Sequence, residues 1–235
     1  MFSRPRRRST QRFSLHLTFA VLALLFPTKV ALADAIAIWN FNDSDLVVDH
    51  GAGTLASNFN VANISFAAGT TNNARLGDPA GQALSLQGGS SNANNGRNIT
   101  VSVNTTGFAN ILVSFATQGT TTGFNNNQFQ YSLDGVTFVD FGSPYIPLAA
   151  FGLLPIVFDL STIPGLNNNL NAAFRIVFNG ATTSTGNNRI DNFVVEGSSS
   201  TVPEPTTVAL LSTGLATLST RKWVWKRRGR ALDQT

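Results

Sequence analysis

Between residues 34 and 200 the apolar positions come in short runs that alternate with polar ones, and clusters of Asn, Gly, Ser and Thr separate the runs. Period-two alternation puts Ile111, Val113 and Phe115 on one face of a strand. It does the same for Phe129, Tyr131 and Leu133, and for Phe174, Ile176 and Phe178. The last set opposes Arg175, Val177 and Asn179, so that strand has a drier and a wetter side. The pattern predicts strands over 35–41, 63–66, 83–86, 98–103, 111–117, 128–133, 137–141, 155–160, 173–179 and 190–197. No stretch reads as a long helix, although 160–170, which contains Pro164 and Gly165, has room for one helical turn.

The connections fit this reading. Asp134-Gly135 stands between two of the runs and is a strong short-range hairpin signal, because both residues tolerate positive φ. The Asn triplets at 125–127 and 167–169 read as loop tips, since Asn adopts left-handed backbone and bonds its own chain. About ten short strands with frequent turn signals make an all-β, jelly-roll-like two-sheet β-sandwich over 34–197.

The two ends have a different pattern. Arg4, Arg6, Arg7, Arg8 and Arg12 precede an apolar run over 13–26, which Pro27 ends. Ala31-Leu32-Ala33 then places small residues, Ala31 and Ala33, at the two positions that a signal peptidase reads. Residues 1–33 are thus a signal peptide whose removal leaves Asp34 first. The run is shorter than the roughly 20 apolar residues of a comfortable membrane span. Arg7-Arg8 lacks the apolar residues that a twin-arginine signal places just after the pair, so general secretion is expected.

At the other end a Ser-rich linker, 198–201, leads into Val202, Pro203, Glu204 and Pro205. A run of 15 residues, 206–220, follows, and then a basic cluster over 221–230 with Trp223 and Trp225. Pro203 and Pro205 lack amide donors and fix φ, so the motif should be extended and open to a protease cleft. As a helix, 206–220 would be about 22 Å long against a hydrocarbon core of about 30 Å, a short transmembrane segment. The tryptophans suit the interface, and the bases would stay cytoplasmic. This order of motif, apolar run and basic cluster closely resembles the PEP-CTERM sorting signal over 202–230. The resemblance implies recognition of Val202, Pro203, Glu204 and Pro205 by an exosortase-type membrane protease. It also implies membrane anchoring of the precursor, later release to the cell surface or medium, and association with exopolysaccharide and biofilm. The phrase Tyr131-Ser132-Leu133-Asp134-Gly135-Val136-Thr137-Phe138 likewise resembles a strand–turn–strand element of bacterial extracellular sandwich domains.

Charge changes the picture once it is divided by segment. The chain has a net charge of +4, yet 34–200 holds four bases against ten acids, a net charge of −6. The bases flank the terminal apolar runs, as membrane-topology signals do, and the acidic body has no electrostatic footprint for nucleic acid. There is no cysteine, so disulfides, thiolate metal sites and cysteine nucleophiles are excluded. The body must hold together by its core, and about 170 residues suffice for one.

Catalytic patterns are wanting. His50 sits in Val48-Asp49-His50-Gly51, which reads as a surface loop, and no Gly-x-Ser-x-Gly elbow accompanies it. Glu196 is the only glutamate of the body, and spacing singles out no pair of carboxylates for glycoside hydrolysis. A non-enzyme is expected, with no cofactor. Asp43 and Asp45 present oxygens at alternate positions. They read either as an Asx turn or, joined by Asp191 by analogy with other sandwiches, as ligands of a structural calcium. The function expected is that of an exported, non-catalytic surface or matrix protein. The alternative is a carbohydrate-binding, lectin-like module. It would need a coplanar, exposed pair among Trp39, Tyr131 and Tyr145, the body's only Trp and Tyr residues.

Overall fold

A computed structural model describes residues 33–199. The strands are β1 (Ala33–Trp39), β2 (His50–Gly51), β3 (Gly53–Ser57), β4 (Ile64–Ala68), β5 (Gln82–Gln87) and β6 (Arg97–Val103). They continue with β7 (Phe108–Gly119), β8 (Asn126–Ser132), β9 (Val139–Asp140), β10 (Ile156–Asp159), β11 (Ala172–Asn179) and β12 (Asn187–Ser199). All pairings are antiparallel and form two sheets. One runs β10-β7-β12-β1-β2, with β5 on β12 and β4 on β5; the other runs β3-β6-β11-β8-β9. This is the expected jelly-roll-like sandwich. The one helical turn expected over 160–170 is the 3-10 turn Pro164–Leu166, started by a proline that needs no amide partner.

β12, at 13 residues, organises the larger sheet. One side pairs with β7 almost throughout. The other pairs with β5 at Asn187–Ile190 and with β1 from Phe193 to Ser198. The inward faces of both sheets meet in an aromatic core. Phe115 stacks on Phe193 at 5.4 Å, Phe129 on Phe158 at 3.9 Å, and Phe59, Phe124 and Phe178 meet edge to face. The alternation read from sequence holds for Ile111, Val113 and Phe115 and for Phe174, Ile176 and Phe178, all buried. It fails for Leu133, because β8 ends at Ser132 and leaves Leu133 exposed.

Where β12 passes from β5 to β1, a polar knot fills the gap. Asn192 has φ +48° and shifts the register against β7. Its side chain donates to the carbonyls of Thr70 and Asn72, at 2.8 and 2.9 Å. Asp191, fully buried, accepts from the Thr70 amide at 2.6 Å and the Asn192 amide at 2.8 Å. Asn73 donates to the Asn192 carbonyl and to Ser114 Oγ. Gly69 is needed here, since a Cβ would lie 2.4 Å from Asp191 Oδ2.

Four further differences have local causes. β2 and β3 occupy a stretch to which the pattern assigns no strand, and of which Val48–Gly51 reads as a surface loop. In the fold, a Cβ on Gly51 would lie 2.0 Å from the Ile36 carbonyl oxygen, so the glycine permits a close strand approach. His50 accordingly lies in a strand, paired with Ile38, and not in a loop. The hairpin at Asp134-Gly135 is wider than a two-residue turn, because the nearest ladder pair is Tyr131 with Val139. Asp134 Oδ1 accepts from the Val136 and Thr137 amides and from Ser132 Oγ, a side-chain-built turn. Asn127, expected at a loop tip, is buried in β8 and donates to the Phe124 carbonyl. β12 runs on through Ser198 and Ser199, so the first two residues of the expected linker belong to the ladder.

Candidate functional site

The strand ends that lead toward the two expected processing sites meet at one end of a single ladder. β1 starts where the signal peptide is expected to end, and β12 ends just before the sorting motif. The two strands are antiparallel neighbours, so Ala33 pairs with Ser198 and Asp34 with Gly197. Ser199 Oγ donates to Asp34 Oδ2. On its other side β12 pairs Ser198 with Ala109 and Ser199 with Phe108. Asn and Thr side chains brace the surrounding loops. Asn168 Oδ1 accepts from the Gly107 amide, Asn167 Oδ1 from the Asn110 amide, and buried Thr105 donates to the Leu166 carbonyl. Asn168 has φ +52°, so the second Asn triplet is the loop tip expected of it. Ala31, Val202, Pro203, Glu204 and Pro205 lie outside the described residues, as do segments 206–220 and 221–230. Among the described residues no helix is long and apolar enough to cross a membrane.

The carboxylates expected as metal ligands are differently placed. Asp45 Oδ1 accepts from the Val47 amide at 2.7 Å, an Asx turn, and Asp43 is exposed. Asp191 is committed to the knot on β12. Among the described residues no three or more His, Asp and Glu side chains come together as a metal-holding group. Asp49 is the carboxylate that spacing did not single out. It accepts from the Asn40 amide at 2.7 Å, and burial, with Asp43 and Asp45 nearby, raises its pKa above the usual aspartate value. His50 Nε2 is 3.9 Å from Asp78 Oδ2. That pairing has no sequence signal, since the two residues lie in separate segments.

The three aromatics do not make a stacking platform. Trp39 is buried, donates to the Leu46 carbonyl at 3.2 Å and packs edge-on to Phe193. Tyr145 packs against Phe115 and Phe158, and burial of its hydroxyl pushes the phenol pKa well above its ordinary value. Tyr131 is half-buried against Phe141. An open cleft of about 450 Å³ runs past Gly53, Ser102, Asn104, Asp134 and Asn171. At the far end of β7 a loop exposes Ile146, Leu148, Leu153 and Leu154, with Leu153 98% exposed. The loop is tied to that end by the Gly119 amide, which donates to the Leu148 carbonyl.

No curated protein matches the sequence. Among solved structures, the chain is similar to the CBM22-1 xylan-binding domain from Paenibacillus barcinonensis Xyn10C, at 9% identity and TM-score 0.43, over 72% of this chain and 97% of that one. It is also similar to Domain 4 of AbnA, an extracellular arabinanase from Geobacillus stearothermophilus, at 14% identity and TM-score 0.42, over 71% and 93%. A third is the adhesin domain of Lys-gingipain, at 12% and 0.40, over 70% and 96%. The PEP-CTERM protein-sorting motif matches residues 201–228, a signal and not a catalytic domain. Behind its two-sheet β-sandwich, therefore, this chain carries a PEP-CTERM sorting motif, the mark of an exported protein handed to an exosortase.

Proposed function

We propose that the protein is a non-catalytic surface or matrix component whose sandwich is delivered through its tail and released there by cleavage at the Val202, Pro203, Glu204, Pro205 motif. Signal peptidase would free the other end after Ala33, and exopolysaccharide is the material in which the released domain works. The observation that carries this reading is the matched sorting motif, 201–228, which follows directly on the last strand of a folded domain. The acidic body and the basic ends divide the labour: the ends address the membrane, and the body is the cargo. The lectin-like alternative receives no support from Trp39, Tyr131 and Tyr145, which are core or half-buried residues and not an exposed coplanar pair.

The test is fractionation with intact-mass measurement in hosts with and without an exosortase. With the protease, the exported protein is expected to lose 206–235 and leave the membrane; without it, the full C-terminus should stay membrane-bound. Glu204→Gln should block the loss while leaving the sandwich folded, because the motif lies beyond the last ladder pair. An identical full-length C-terminus in both hosts would show that the tail is only an anchor.

A further inference from the structure

The sorting tail makes no use of the outer face of the smaller sheet. Arg175 on β11 stands on that face, opposite the buried residues Phe174 and Ile176. Cross-strand register places Ala56, Thr100, Arg175, Gln130 and Asp140 in one row from β3 to β9. Asn98, Val177 and Gln128 form the next row. Two contacts fix the Arg175 guanidinium. Its Nε donates to Thr100 Oγ1 at 3.0 Å, and Thr100 Oγ1 donates in turn to Asn98 Oδ1 at 3.2 Å. The Phe138 ring lies flat against it, 3.4 Å from Cζ. Its charge has no counterpart. Neither of the two ion pairs among the described residues includes Arg175. Asp140, the one acid of the row, is two strands away, roughly 10 Å, and its Oδ1 accepts from Gln130. Partial burial disfavours the cation and lowers the Arg175 pKa from its ordinary value.

The other described arginines are occupied. Arg75 meets Glu196, and Nη1 of Arg97 and of Arg189 donates to the carbonyls of Asn58 and Ala68. Among the described residues, only Arg175 keeps both terminal nitrogens without a protein acceptor. A planar fork held by a stacked ring and a hydroxyl is set to take an oxyanion through two parallel hydrogen bonds. With Nε committed to Thr100, the anion must approach end-on, across Nη1 and Nη2. Around the fork stand the amides of Asn98, Gln128 and Gln130, which both donate to and accept from hydroxyls. On the other side of Thr100 the same face continues through Ser102 and Thr54 into the open cleft of about 450 Å³. The fork therefore lies beside a channel open to an extended chain. The acidic body repels polyanions at long range, so recognition here depends on one fork and not on a basic surface. We propose that Arg175, stacked on Phe138, binds the carboxylate of a sugar acid in an acidic polysaccharide, while Asn98, Gln128 and Gln130 bond its hydroxyls. The proposal deepens the matrix reading above, on which the choice of a polysaccharide rests.

The test is calorimetric titration of the exported protein with polygalacturonate, with the same polymer fully methyl-esterified, and with polyglutamate. The acid polymer is expected to bind about 10- to 100-fold more tightly than the ester, the range for a hydrogen bond to a charged group. Arg175→Gln should weaken binding of the acid form by that factor and leave the ester unchanged. Arg175→Lys keeps the charge without the planar fork and should recover little of the loss. Phe138→Leu, which removes the stack, should weaken the acid form less than Arg175→Gln does. Should Arg175→Gln melt below wild type, the comparison of acid and ester on wild-type protein decides alone. No binding of polygalacturonate, or equal affinity for acid and ester, would overturn the proposal. Acid binding undiminished in a folded Arg175→Gln variant would overturn it as well, and full recovery with lysine would overturn the role of the fork. Polyglutamate binding as tightly as polygalacturonate would show that a bare carboxylate suffices, and the sugar assignment would fail. A tail left unprocessed in the fractionation experiment would instead sink the sorting reading and leave these titrations unaffected.

Discussion

Asp191 shows how far a single residue can depart from what its neighbours in sequence suggest. Its partner amide, on Thr70, is 121 residues away, so neither its burial nor its role in the knot could be read from local pattern. Burial raises its pKa from 3.8 to about 7, against the lowering effect of the Thr70 and Asn192 amides. Because the folded-state value is raised, folding takes up a proton between about pH 4 and pH 7. The group's contribution to stability is therefore full below pH 4 and is lost as pH rises through 7. The unfolding free energy from denaturant titration should fall over that window, by up to about 1.4 kcal/mol per pH unit, and Asp191→Asn should flatten the slope. Equal slopes in both proteins would show that the carboxyl does not take up that proton. Phe115 was legible from alternation, and its ring now has named neighbours in Phe193, Phe158 and Tyr145. Phe115→Ala should cost about 3–5 kcal/mol, measured by denaturant titration, through lost burial and a cavity. Asn127 was misread, because an Asn-rich triplet looks the same in sequence whether its amides face water or, as here, satisfy a buried carbonyl.

At the scale of elements, apolar alternation located the strands that carry the core, from β1 to β12. It overlooked β2 and β3; Gly51, read as part of a loop, serves close strand approach in the fold. Pairing with β1 and β6, and not propensity, makes these residues strands. The Asp134 turn was found, but its width was not, since the side chain replaces the tight backbone turn. The hydrogen bonds from Val136, Thr137 and Ser132 hold the Asp134 carboxyl well below the usual aspartate range. Asp134→Ala should loosen this hairpin and speed amide exchange at Val136 and Thr137 without unfolding β11. Unchanged exchange there would mean that backbone geometry alone sets the turn.

For the whole molecule, the sorting tail was legible because its three parts are contiguous and each has its own chemistry. The adjacency of Asp34 and Ser199 was not, since it depends on β1 and β12 becoming neighbours in the sheet order. The calcium question also belongs at this scale. With Asp45 in a turn and Asp191 in the knot, a chelator is expected to leave the melting curve unchanged. A lower melting temperature in chelator would reveal a native-state cation.

Both ends of the folded domain leave from one pole, and this determines how it answers a mechanical load. Antiparallel ladder bonds run perpendicular to the strands. A force that draws the two ends apart would break the β1–β12 bonds one after another, which takes little force. A force between the tail and the far pole, where Leu153 and Leu154 stand exposed, runs along β12 and loads its bonds to β7 and β1 together, in shear. A domain held by its tail and gripped at its tip is thus loaded along its strongest direction.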